Sequence, residues 1–199
     1  MKVFGHFDIE ADGPTPVTSN MINIGIVFTD ENGKVLGEIC VDLKQRIGFK
    51  GDADTISWWS HPDRINEYNR ILNEGIDPIA AMHLINTKIL EVTNGKKLVW
   101  VARPAAYDWM FLKCYWDLYK NANPNAYDIG FSATCLSSIR EVWKAFSGLS
   151  GAAQIDEYFR RWTQDLVMTH NGLDDARYQA RIYHGIVQEL QEYATKSSL

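Results

Sequence analysis

Two runs rich in β-branched residues, 21–28 and 35–43, flank Asp30-Glu31-Asn32-Gly33. Asn-Gly tolerates the positive φ that a tight hairpin turn demands, so the two runs pair as antiparallel strands. A third extended segment, 2–9, precedes them across a Gly/Pro/Ser-rich turn from Asp12 to Asn20. The chain therefore opens as a three-strand antiparallel meander, whose apolar faces must be covered by the segments that follow.

Those segments are mostly helical. One helix is predicted to begin with Pro62 at its first position and to end before Gly75. The next is bounded more sharply. Asp77 caps it, Pro78 opens it, Ile79, Met82 and Ile85 form its apolar stripe, and Asn94-Gly95 stops it. Residues 97–102 form a short buried strand, and 107–119, apolar nearly all round, a buried helix. A short strand at 129–131, a helix over 137–146 and a last helix over 173–194 complete the chain, with 44–60 irregular and 147–156 a loop. This order gives an α/β fold. Its mixed sheet combines the three-strand antiparallel meander with two further strands, with helices on both faces, in a single domain over residues 1–199.

Composition narrows the function. Lys and Arg number 20 against 25 Asp and Glu, a net charge of −5, which argues against a protein that coats duplex nucleic acid. With 46% hydrophobic and 12% aromatic residues the chain is too apolar to be disordered. No apolar run approaches the ~20 residues that span a bilayer, so no membrane partner is expected. No targeting segment is read at its start. Cys40, Cys114 and Cys135, odd in number and far apart, fit a reducing cytoplasm better than a disulfide framework.

The carboxylates carry the chemistry. Asp8 and Glu10 end an otherwise apolar strand, and a strand period of two sends both to one face. Neighbouring carboxylates repel unless a cation lies between them, and hard oxygen ligands without cysteine favour Mg²⁺ or Mn²⁺. On their own the two acids fit equally well a strand ending in solvent. Asp108 precedes Trp-Met-Phe-Leu, where a carboxylate either caps the helix or serves a site. In the last helix Leu173, Ala176, Ala180, Tyr183, Val187, Leu190 and Ala194 mark the buried face. Asp174 then points outward, toward Arg177 at i+3, while Asp175 lies on the flank of the buried face. His170 stands before this helix on a Gly-containing turn, a place where most histidines are surface residues. Asp52-Ala53-Asp54 has the Asp-x-Asp form of metal–nucleotide sites, but it is read as part of a polar loop.

Order and spacing turn these weak signals into a strong one. Asp-x-Glu on the first strand, Tyr-Asp-x-x-Phe-Leu about a hundred residues later and His-x4-Asp at the last helix closely resemble the DEDDh 3′–5′ exonucleases. These are the RNase T and oligoribonuclease superfamily, with an RNase H-like fold, and the resemblance runs from Phe7 to Tyr183. Thr55-Ile56-Ser57-Trp58-Trp59 looks like a segment of the mycobacterial-type 3′–5′ exoribonucleases and related phage exodeoxyribonucleases.

The resemblance implies Asp8, Glu10, Asp108 and Asp175 as metal carboxylates for two Mg²⁺ or Mn²⁺ ions, and His170 as general base. It implies removal of nucleoside 5′-monophosphates from single-stranded RNA or DNA 3′ ends, with RNA favoured, and a homodimer as one assembly open to the chain. Trp59 is expected to stack on a base, and Met21 and Ile22 either wedge against the terminal bases or begin the second strand as core. The chain also departs from the family. Ala11 stands where Thr is usual, which removes or moves one contact to the terminal nucleotide. Tyr107 replaces Phe, and Pro104 replaces an Asn, leaving Arg103 as a candidate phosphate contact. The competing reading is a catalytically weak binding module or a proofreading subunit on the same fold. The presence of all five site residues disfavours a module that has lost catalysis.

Overall fold

The computed structural model describes residues 2–149, 151–167 and 169–196. Three strands open it, β1 (Lys2–Ala11), β2 (Met21–Thr29) and β3 (Val35–Asp42). They pair antiparallel, β1 with β2 and β2 with β3, around the turn at Asn32-Gly33, where Gly33 has φ +82°. Helices α1 (Ala53–Trp59), α2 (Ile65–Glu74) and α3 (Pro78–Thr93) follow, then β4 (Lys97–Ala102), α4 (Ala105–Ala122), β5 (Thr134–Cys135), α5 (Leu136–Ser147), α6 (Ala152–Thr163) and α7 (Gly172–Lys196). β4 adds parallel to β1, and β5 adds parallel to β4, which gives the order β3-β2-β1-β4-β5.

Alternation along β1 sorts its side chains between two cores. Val3, Phe7 and Ile9 pack with Met82, Ile85 and Ile89 of α3 and with Phe111, Leu112 and Tyr115 of α4. Phe4 packs on the other face, with Trp143 of α5, Phe159 of α6 and Ile182 and Ile186 of α7. Asp8 and Glu10 belong to this α7 face. Every residue of β2 is buried, as expected for a strand covered on both sides.

The helix predicted after Pro62 begins three residues later, at Ile65. Two other segments differ more. The stretch predicted irregular contains α1, nucleated by Asp52, whose carboxylate accepts from the Thr55 backbone N–H at 2.9 Å and its hydroxyl at 3.0 Å. Of the Asp-x-Asp there, Asp52 is the helix N-cap and Asp54 lies in the first turn. The predicted loop at 147–156 gives way to α6 from Ala152; Ser150 lies outside the described residues. The fifth strand lies at Thr134–Cys135 instead of 129–131, because Gly130 takes φ +78° and turns the chain. Among the described residues no helix is long and apolar enough to cross a membrane.

One close approach positions α7. Gly25 pairs with Asp8, so a side chain there would point to the face that α7 covers. A methyl group at Gly25 would overlap the backbone of Gly172 and Leu173. Gly25→Ala is therefore expected to push the first turn of α7 off the sheet and to destabilise the fold by about 1–3 kcal/mol, read as a lower melting temperature.

Candidate active site

β1 ends with Asp8 and Glu10 on the α7 face, and its parallel pairing with β4 sets the start of α4 beside them. The N-cap of α4 is Pro104, so Asp108 is not a cap. It lies in the first turn, 2% exposed, and its Oδ1 accepts the Ile9 backbone N–H at 3.4 Å while Oδ2 is buried without a partner. The third element is the first turn of α7, where Gly172 N–H donates to Asn23 Oδ1 on β2 at 3.0 Å. Asp174 faces outward and pairs with Arg177 at 3.0 Å, as the helical spacing predicts. Asp175 faces the sheet, with Oδ1 buried and unpartnered. One turn on, Gln179 donates from Nε2 to Asp8 Oδ1 at 2.7 Å. Sequence reasoning missed Gln179, though a polar residue at i+4 from Asp175 was a usable signal.

The charges crowd one another. Burial, and then the charges of Asp108, Glu10 and Asp175, hold the Asp8 carboxyl well above its usual range. Burial, Asp175, Asp108 and Glu67 do the same to Glu10. Burial pushes Asp108 up to about 7 and Asp175 to about 6. Among the described residues no Lys or Arg forms an ion pair with any of these four acids. Carboxylates crowded together, one buried and three half-buried, are costly until a cation compensates them. The all-oxygen donor set, with orphaned oxygens on Asp108 and Asp175, fits a hard divalent cation.

His170 closes the arrangement. One ligand atom each from Glu10, His170 and Asp175 lie within 4.8 Å of one another. His170 has φ +58°, a left-handed conformation uncommon for a side-chain-bearing residue. Burial and the nearby Arg64 charge lower its pKa below the ordinary histidine value, which favours the neutral ring. Trp58 and the imidazole meet nearly at right angles, with ring centroids 5.0 Å apart, and Arg64 lies 4.0 Å over the Trp58 ring.

The other expected substrate contacts are placed differently. Trp59 is 1% exposed and spends its indole N–H on the Ala11 carbonyl at 3.0 Å, so it has no face for a base; the exposed member of the pair is Trp58, at 41%. Met21 and Ile22 are wholly buried and act as core rather than as wedges. Ala11 is buried at the end of β1, and Arg103 is half-buried at the end of β4. Tyr107 donates its hydroxyl to the Gly13 carbonyl at 3.0 Å. Asp12 is consumed structurally, accepting from Asn20 N–H, Asn20 Nδ2 and Gln45 Nε2 at 2.6–2.8 Å.

Known proteins are similar to this chain in sequence or in fold. The family model described as the 3'-5' exoribonuclease Rv2179c-like domain matches residues 5–187. The 3'-5' DNA exonuclease Cap18 of Escherichia coli is 26% identical over 193 residues, covering 96% of this chain and 94% of the relative. Exonuclease I from Methylocaldum szegediense superposes with a TM-score of 0.67 at 14% identity, over 96% of this chain and 41% of that one. The zinc-ion-bound form of an E. coli exonuclease I–single-stranded DNA complex gives 0.62 at 13% identity, again over 96% and 41%. The chain thus spans about two-fifths of the exonuclease I structures, and that likeness establishes the RNase H-like fold.

Proposed function

The chain belongs to the Rv2179c-like 3'-5' exoribonuclease family, and from that premise we propose that it is a single-domain, cytoplasmic exonuclease that shortens single-stranded RNA from the 3′ end by a two-metal-ion mechanism. Its 3'-5' exonuclease activity on nucleic acid follows from the family; the sugar, the two ions and the residue roles are our reading. The carrying observation is the convergence of Asp8, Glu10, Asp108 and Asp175, unpaired with any basic side chain among the described residues, beside His170. RNA is proposed because the matching family model is that of an exoribonuclease domain. The Cap18 likeness supports DNA as the second reading.

Asp8, Glu10, Asp108 and Asp175 would hold two Mg²⁺ or Mn²⁺ ions. When bound, such ions neutralise the phosphate and stabilise the attacking and leaving oxygens. The chain supplies the rest. Gln179 fixes the orientation of Asp8. His170, kept neutral, takes the proton of the attacking water at a ring nitrogen. Trp58 offers an exposed ring against which a base can stack, worth ~1–3 kcal/mol without sequence preference.

A single assay tests this reading. Oligonucleotides of RNA and of DNA, labelled at the 5′ end, are incubated with Mg²⁺ or Mn²⁺, with and without chelator. The expected result is a ladder shortening from the 3′ end, faster on RNA and abolished by chelator. Faster DNA degradation would move the assignment to the second reading, and internal cuts or chelator-resistant products would overturn it.

A further inference from the structure

The turn that carries His170 is tied to α2, at the border of the acidic cluster. Asn171 Nδ2 donates to Glu67 Oε1 on α2 at 3.1 Å. Its Oδ1 accepts the Leu173 backbone N–H at 3.1 Å and the Cys40 thiol at 3.6 Å. Glu67 is itself held by Arg70, through Nε at 2.9 Å and Nη2 at 2.7 Å. Arg70 also binds Asp42, at the end of β3, at 2.6 Å and Glu74 at 2.9 Å. A continuous chain of charge-assisted hydrogen bonds therefore runs from the sheet edge through α2 to the residue next to His170.

A left-handed residue with a side chain costs on the order of 1 kcal/mol or more, so His170 stays at φ +58° only where its surroundings enforce it. Neither Glu67 nor Asn171 is among the four acids proposed to hold metal. We propose that Glu67 and Asn171 are positioning residues: α2, through this pair, fixes the His170 turn so that the imidazole meets the attacking water. The proposal rests on the reading of His170 as general base.

The hydrogen-bond polarity between the two residues makes the test. Asn171→Asp keeps the size of the side chain and the acceptor for Leu173 N–H, but sets a carboxylate against Glu67. It should lower kcat on the RNA oligonucleotide on the order of 10- to 100-fold, the effect of displacing a catalytic group by about 1 Å, with KM unchanged. Adding Glu67→Gln returns a donor to the contact, now directed from residue 67 to residue 171, at the loss of the Arg70 Nη2 bond to the same atom, and should raise kcat at least about threefold above Asn171→Asp alone. Glu67→Ala, at a half-buried position on α2, is the second probe and should reproduce the kcat loss if Asn171→Asp does not fold. In a His170→Ala background Asn171→Asp should cause no further loss.

Wild-type kcat in both single variants, no recovery when Glu67→Gln is combined with Asn171→Asp, or a full additional loss on top of His170→Ala would each overturn the positioning role. Wild-type turnover in His170→Ala alone would instead remove the reading of His170 as base, so the two failures are distinguishable.

Discussion

Asp108→Asn is expected to cost at least about 10²–10³-fold in cleavage rate and, in the metal-free protein at pH 8, to raise the melting temperature. The two effects have one origin. Burial raises the Asp108 carboxyl from 3.8 to about 7. A raised carboxyl pKa means that the folded state binds more protons than the unfolded chain between those values, so stability falls as pH rises from about 4 to 7. Above pH 7 the whole penalty is present, on the order of a few kcal/mol. Asparagine removes it while keeping an oxygen to accept the Ile9 N–H, and its amide can donate toward the neighbouring acids. The expected gain at pH 8 is about 2 kcal/mol, roughly 4–8 °C for a chain of this size, and it vanishes near pH 4. Divalent cation added to the wild type should recover a similar amount, and less in the variant. Melting curves at pH 4 and pH 8, with and without Mg²⁺, check the sign. A variant that is inactive and also less stable at pH 8 would place Asp108 in the packing rather than at a cation site.

The parts legible in the sequence were those set by local rules. Period two put Asp8 and Glu10 on one face of β1, and Asn32-Gly33 marked the hairpin. Asp77, Pro78 and Asn94 bounded α3, with Asn94 in the left-handed conformation that ends a helix. Helical period separated Asp174 from Asp175. What was lost depends on partners distant in sequence. α6 is a short helix between Gly148 and Gly151 on one side and a turn on the other, and Ile155, Phe159 and Trp162 acquire meaning only against Trp143 and Ile186. α1 was hidden because Asp52-Ala53-Asp54 reads as a polar loop until the bonds of Asp52 to Thr55 are seen. Trp58 and Trp59 are adjacent and alike in type. The Ala11 carbonyl takes the Trp59 indole N–H, a contact across 48 positions that no spacing rule contains. Gly25 carried a clearer signal. A glycine in the middle of an apolar strand indicates close backbone approach, and α7 makes that approach.

His170→Ala should lower kcat by about 10²–10⁴-fold while leaving the metal dependence in place. Two roles compete for this side chain, since its ring nitrogens stand close enough to Glu10 and Asp175 to share a cation with them. They predict different titrations. A general base acts only on the attacking water, so its removal depresses the rate at every metal concentration and leaves the half-saturating Mn²⁺ concentration where it was. A ligand acts through occupancy, so its removal shifts that concentration upward, and saturating metal restores much of the rate. The lowered pKa of His170 serves both roles, because a general base and a metal ligand alike need the neutral ring. The strained turn is what favours the base. A ligand could be supplied by an exposed side chain in any relaxed conformation, whereas proton transfer requires a ring nitrogen within hydrogen-bond reach of one water. Rates measured across a Mn²⁺ series for wild type and His170→Ala decide between them. Parallel curves displaced downward support the base, and curves that converge at high Mn²⁺ would reassign His170 to the metal.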